Sequence, residues 1–158
     1  MKILVTTLAL IVALAACAKA PDEHDESPKS QQATNAAPLL ASVGAAHANA
    51  DGALTAEARE AALTSLQTLA SGPAHGALSA QDSAKVRRDL YAHAARVALD
   101  LERFEVASRL IQQGLALEGS DPFRTQLLLL DVETQRALRD TAAEAAAVRA
   151  ARNALALE

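Results

Sequence analysis

The chain has no tryptophan, one tyrosine and two phenylalanines among its 158 residues. Stacking platforms for bases, sugar rings or flat cofactors are therefore scarce, which weighs against single-stranded nucleic acid as a ligand. Charge points the same way. Fifteen Lys and Arg stand against nineteen Asp and Glu, a formal net charge of −4, and five of the acids precede residue 54. Nothing in that balance supplies the basic face that a phosphate backbone needs. A single cysteine excludes an intramolecular disulfide framework. The six glycines form no phosphate-cradling loop.

What is present begins at the N-terminus. Lys2 gives a short positive start, and residues 3–16 are apolar or small apart from Thr6 and Thr7. Fourteen helical residues span about 21 Å, short of the roughly 30 Å hydrocarbon core. That length suits the apolar region of a secretory signal peptide. The run closes on Leu14-Ala15-Ala16-Cys17, which holds the only cysteine. This tetrad resembles the lipobox of bacterial lipoproteins, in which the cysteine thiol receives a diacylglycerol, the signal is cut before it and the new amino group is acylated. Cleavage of an ordinary signal peptide at Ala16-Cys17-Ala18 or Ala18-Lys19-Ala20 competes with this reading; the position of the sole cysteine favours lipidation of Cys17. The resemblance implies an anchor of two or three acyl chains, stable where one would be marginal. Ala18 after the cysteine is similar to lipoproteins passed to the outer membrane. The expected location is the cell envelope, facing the periplasm.

Residues 17–53 read as a flexible linker behind the lipid. The stretch "KAPDEHDESPKSQQATNAAP" is rich in Pro, Ser, Gln and charge, with few large apolar residues to repay ordering. Its 36 residues after the cysteine would span roughly 30–35 Å r.m.s.. Asp22-Glu23-His24-Asp25-Glu26 contains metal-ligand chemistry, but consecutive residues on a flexible segment have nothing to orient them. A solvated acidic spacer is the better reading, with a short helix around Leu39, Leu40 and Val43.

Residues 54–158 have helix periodicity and no run of alternating β-branched residues. Leu54 and Thr55 open a first helix with Leu63, Leu66 and Leu69 on one stripe, stopped by Ser71-Gly72-Pro73. Ser79 and Asp82 have capping-box spacing for a second helix carrying Val86, Leu90, Ala94, Val97 and Leu101. A third runs from about residue 104 to residue 117. Asp121-Pro122 starts a fourth, since aspartate caps free N–H groups and proline at the first position gives up only a donor without a partner. Thr141 and Glu144 suggest a capping box for an alanine-rich fifth. The expected fold is all-α: five helices with short connections and antiparallel neighbours.

"GLALE" at 114–118 and "ALALE" at 154–158 lie forty residues apart. On that register Leu90 matches Leu130, Arg96 matches Arg136, Asp100 matches Asp140 and Ala107 matches Ala147, the spacing of a helix-pair repeat. Residues 91–122 resemble a tetratricopeptide repeat. Tyr91 and Phe104 stand at its aromatic positions, Ala95, Ala107 and Gly114 at its small ones, and Asp121-Pro122 closes the unit. Three departures stand out: no glycine precedes Phe104, two extra residues precede Asp121, and the second copy lacks both aromatics.

Catalytic constellations are missing from the sequence. The four histidines fall in no H-x-x-x-H or comparable motif, and the carboxylate pairs are those of exposed helix faces. The expectation is a non-catalytic protein with no cofactor and no metal. The resemblance to tetratricopeptide proteins implies recognition of an envelope protein or peptide along the first helix of each pair. Arg96 and Arg136 are the candidates to hold a partner carboxylate, with His93 on the same helix as Arg96. Their alternative use is in i,i+4 pairs with Asp100 and Asp140. Residues 127–130, four consecutive leucines, put apolar groups on more than half of a helix, so Leu127 and Leu130 are candidates for a docked partner or self-association. The competing role is that of a pilotin-like lipoprotein, which escorts a secretion-system outer-membrane subunit by gripping one of its helices in an apolar cradle.

Overall fold

Capping residues set most helix boundaries. In the computed structural model, which describes residues 28–156, six α-helices follow one another: α1 Pro28–Asp51, α2 Ala56–Ser71, α3 Ala80–Asp100, α4 Phe104–Leu115, α5 Pro122–Ala137 and α6 Thr141–Leu155. A 3-10 turn, Pro73–Ala77, separates α2 from α3. The fold is all-α. Thr55, Ser79 and Asp121 each accept the backbone N–H three residues on, capping α2, α3 and α5 as their spacing predicts. The cap of α6 is Asp140 rather than Thr141: its carboxylate accepts the N–H of Ala143, and Thr141 becomes the first helical residue.

The N-terminal boundary differs from expectation. Residues 28–51 are not linker but helix α1, so there are six helices rather than five and the domain starts well before residue 54. The reason is a stripe hidden among alanines. Ala36, Leu39, Val43, Ala46 and Ala53 are all buried, with Ala50 packed against the core, a 3–4 spacing that composition alone does not reveal. Pro38 lies inside α1 and costs about 3 kcal/mol there. Burying Leu39 and Val43 at roughly 1.5–3 kcal/mol each offsets it.

The core centres on α3, which packs against α1, α2, α4, α5 and the 3-10 turn. Leu90, Ala92, Ala94, Ala95 and Ala98 are fully buried, and Tyr91 nearly so. Small residues let α4 approach closely. Ala107 is fully buried, and a Cβ on Gly114 would lie 2.6 Å from Leu127 Cδ1 and 3.2 Å from Tyr91 Cβ.

The turns α3–α4 and α5–α6 share one geometry. Glu102 (φ 56°) and Arg139 (φ 60°) take the left-handed conformation. Arg103 N–H donates to Ala98 O and Glu102 N–H to Leu99 O; Asp140 N–H donates to Gln135 O and Arg139 N–H to Arg136 O. These are two Schellman closures, each formed without glycine. They lie 37 residues apart, so the structural repeat has a period of 37 rather than forty. On it buried Leu90 matches buried Leu127, and Gly114 matches Ala151. The shared "LALE" ends are a coincidence of an alanine- and leucine-rich chain.

Arg88 joins the two hairpins from inside. Its side chain is 2 % exposed. Nε donates to Asp121 Oδ2 at 2.9 Å, Nη2 donates to the same oxygen, and Nη1 donates to Leu117 O and Glu118 O at 3.1 and 2.7 Å. Arg124 Nη1 adds a bond to Leu115 O at 2.9 Å. The α4–α5 connection and the cap of α5 are thus tied to α3, while Arg124 ties the last carbonyl of α4 to α5. Burial pushes the Asp121 carboxyl up, but the hydrogen bonds of Arg88 and the Arg124 N–H together hold it below its ordinary value. Gly119, at φ 113°, passes beside this guanidinium, where a Cβ would meet Nη2 at 3.0 Å.

Candidate functional site

Two i,i+4 pairs meet where α1 crosses α3: His47 with Asp51, and Asp89 with His93. One helical turn puts each pair on one face, and the burial of Ala46 and Leu90 turns both faces toward the α1–α3 seam. His47 Nε2 lies 3.5 Å from Asp89 Oδ2, and His93 Nδ1 lies 3.6 Å from Asp89 Oδ1. The imidazoles stack, with centroids 3.9 Å apart and 12° between planes. One donor atom from each of His47, Asp89 and His93 lies within 4.8 Å of the others.

The electrostatics of the three groups are uneven. Burial holds His47 below its ordinary pKa, outweighing the opposite pull of Asp89 and Asp51. His93 is held above its ordinary value by the Asp89 carboxylate, which outweighs burial. Neither separation reaches hydrogen-bond length, so His47 Nε2 and His93 Nδ1 are buried atoms with no hydrogen-bond partner. Such an atom costs about 1–3 kcal/mol. Two on facing rings mark a place whose chemistry is incomplete.

A cleft lies on each side of the cluster. One, of about 300 Å³, is walled in part by Asp51, Leu54, Arg59, His93, Arg96 and Asp100. The other, of about 460 Å³, has mainly apolar walls from Leu40, Val43, Leu78, Val86 and Phe123, with Asp82, Lys85 and Asp89 at its polar edge. Leu40 is 50 % exposed and Leu54 89 %.

The residues singled out in the sequence are placed differently from expectation. Arg96 Nη1 donates to Glu133 at 2.9 Å, and Arg136 pairs with Glu144 at 2.9 Å. Neither uses the expected Asp100 or Asp140, and each guanidinium already has a carboxylate from its own chain. On the 37-residue register the counterpart of Arg96 is Glu133 itself, so the two arginines are not equivalent positions. Leu127 and Leu130 are 0 % and 1 % exposed, core residues rather than a docking face; of the four leucines only Leu129, at 49 %, is open. His93 is the one candidate in a cluster. His75 is buried in the 3-10 turn after α2, its Nε2 hydrogen-bonded to Leu69 O at 2.7 Å. Cys17 and His24 lie outside the described residues.

His47 and Asp89 were missed, and the signal was faint. H-x-x-x-D and D-x-x-x-H each fit a helix face, but nothing local says that residues 47 and 89 face one another. No family model, curated protein or solved structure matches the chain.

Proposed function

We propose that this chain is a lipid-anchored protein of the bacterial envelope that serves as a non-catalytic interaction scaffold, held to the outer membrane through Cys17 and facing the periplasm. The anchor rests on the lipobox-like Leu14-Ala15-Ala16-Cys17. Among the described residues no helix is long and apolar enough to cross a membrane, so a membrane attachment falls to the N-terminus in this reading. The scaffold role rests above all on the repeated hairpin. Two helix pairs with the same Schellman turn are stacked side by side, an architecture that presents extended surfaces rather than enclosed pockets. The tetratricopeptide-like reading belongs to this proposal as well.

The partner face is reassigned from Arg96 and Arg136 to the apolar cleft bordered by Leu40, Leu78, Val86 and Phe123. A groove of that kind suits the apolar face of an amphipathic helix. The same cleft keeps the pilotin-like role in play as a second reading: residues 127–130 offer no cradle, whereas Leu40 stands half exposed beside an apolar trough.

Two measurements test the proposal. Fractionation of cells making wild-type and Cys17→Ser protein should find the first in the outer membrane and the second largely in the soluble fraction; equal partition of both contradicts the anchor. A photocrosslinking residue at position 40 or 86 should then yield one defined adduct in intact envelopes, absent when placed at exposed position 149. Equal labelling from both faces, or none, contradicts the scaffold.

A further inference from the structure

We propose that His47, Asp89 and His93 bind one divalent transition-metal ion of the zinc class, which staples α1 to α3. The inference is independent of the scaffold reading and rests on the geometry of the seam. Two imidazole nitrogens and a carboxylate converge from two helices, with all three donor atoms within 4.8 Å of one another. Ligands about 2.0–2.1 Å from a tetrahedral zinc stand roughly 3.3–3.5 Å apart. His47 Nε2 lies 3.5 Å from Asp89 Oδ2 and His93 Nδ1 3.6 Å from Asp89 Oδ1, each near that value and too long for a hydrogen bond, so the carboxylate offers one oxygen toward each ring. Both nitrogens are buried and face the Asp89 carboxylate at ion-pair distance without completing a hydrogen bond. A plain His–Asp–His ion-pair cluster would leave them so; an ion between them satisfies both. The rings stack 12° from parallel, so their in-plane lone pairs run side by side, and binding a common ion requires the rings to turn about their broad Cβ–Cγ torsions.

The donor set selects the class of ion. Imidazole suits zinc, copper and nickel, whereas calcium and magnesium take oxygen ligands. Three protein ligands leave a fourth position for water or a further carboxylate. Asp51, one turn beyond His47, bears on both histidines electrostatically and is a candidate for that position. The two arginines of the adjoining cleft are drawn elsewhere, Arg96 to Glu133 and Arg59 through Nε to Ala53 O.

The test is a zinc titration of the detergent-solubilised full chain at pH 7.5 against a chromophoric chelator. The expected result is one zinc per chain with Kd tighter than about 100 μM. His47→Ala and His93→Ala should each weaken it by more than about tenfold, at or above the range for substitutions of outer-shell partners. His24→Ala should leave it unchanged. If either alanine variant loses helix by circular dichroism, His93→Gln and Asp89→Asn, which keep side-chain volume, serve in its place. Binding weaker than about 100 μM, binding that survives these substitutions, or binding abolished by His24→Ala would each overturn the assignment.

Discussion

The α3–α4 and α5–α6 hairpins turn in the same way and are buried very differently. In the first, α3 alone buries Leu90, Tyr91, Val97 and Leu99 with four alanines, and α4 adds Leu110 and Ile111. In the second, α5 buries Leu127 and Leu130 beside the polar Asp131 and Thr134, and α6 buries only Ala147 and Ala151. Asp131 accepts from Gln135 Nε2, and the Thr134 hydroxyl donates to Leu130 O, so both polar groups are satisfied. The backbone device is copied while the side chains are thinned. The second hairpin gives one face to its neighbour and leaves most of α6 exposed. The lesson concerns what holds each unit. The first is held by apolar volume; the second depends on its junction with the first.

Breaking that junction should have the largest effect. Arg88→Ala leaves Asp121 without its guanidinium and Glu118 O without its donor, with only the longer Arg124 contact left to Leu117 O, which should cost about 3–5 kcal/mol in urea denaturation. A loss below about 1 kcal/mol would mean the hairpins do not depend on the clamp. The Asp121 contribution also has a pH signature. Its folded pKa lies below the unfolded value, so its stabilisation is present above about pH 4 and is lost as pH falls through the folded pKa. Arg88→Ala should abolish most of that acid dependence.

Filling the close approach between the hairpins comes next. Gly114→Ala puts a methyl 2.6 Å from Leu127 Cδ1 and should cost roughly 1–3 kcal/mol despite alanine's better helix propensity. The counterpart change, Ala151→Gly, opens no clash and should cost about 1–2 kcal/mol from helix propensity and the lost buried methyl. A Gly114→Ala protein as stable as the wild type would contradict the close packing at that site.

A smaller pair of changes sharpens the likeness instead. Glu102→Gly and Arg139→Gly relieve the same left-handed strain, so each should stabilise by about 0.5–1 kcal/mol. Chemical denaturation of the two variants checks this; opposite signs would show that the turns are not copies.

The smallest effect belongs to α1. Without metal, the raised pKa of His93 gives stability that is present below about pH 6.5 and lost as pH rises through its folded value. His47, held low, acts oppositely: its contribution is lost as pH falls from about 6.5 through its folded pKa. Protection of α1 amides in chelator should therefore peak near pH 6.5, and Asp89→Asn should remove the alkaline decline.

Much of this fold was legible because local chemistry wrote it. Thr55, Ser79 and Asp121 announce their helices, and the small residues Ala95, Ala107 and Gly114 lie buried at the closest approaches. The misreadings share a cause in the abundance of alanine. It concealed the α1 stripe, in which only Leu39 and Val43 are large, and it supplied a chance forty-residue echo over the true period of 37. The α6 cap expected at Thr141 falls to Asp140, whose carboxylate accepts the Ala143 N–H at 2.9 Å. The candidate site was the least legible part. His47 and Asp89 are brought together only by the docking of α1, and that docking was itself unread.

The most direct test of the account is native-state hydrogen exchange on the full chain, followed helix by helix. The account predicts that α3 and α4 open only with global unfolding, that α5 follows, and that α6 opens at lower free energy still. Residues 39–50 should be protected, and more so with zinc. Exchange of that segment at the rate of an unstructured peptide, or protection of α6 equal to that of α3, would contradict a core centred on α3 with α1 docked against it.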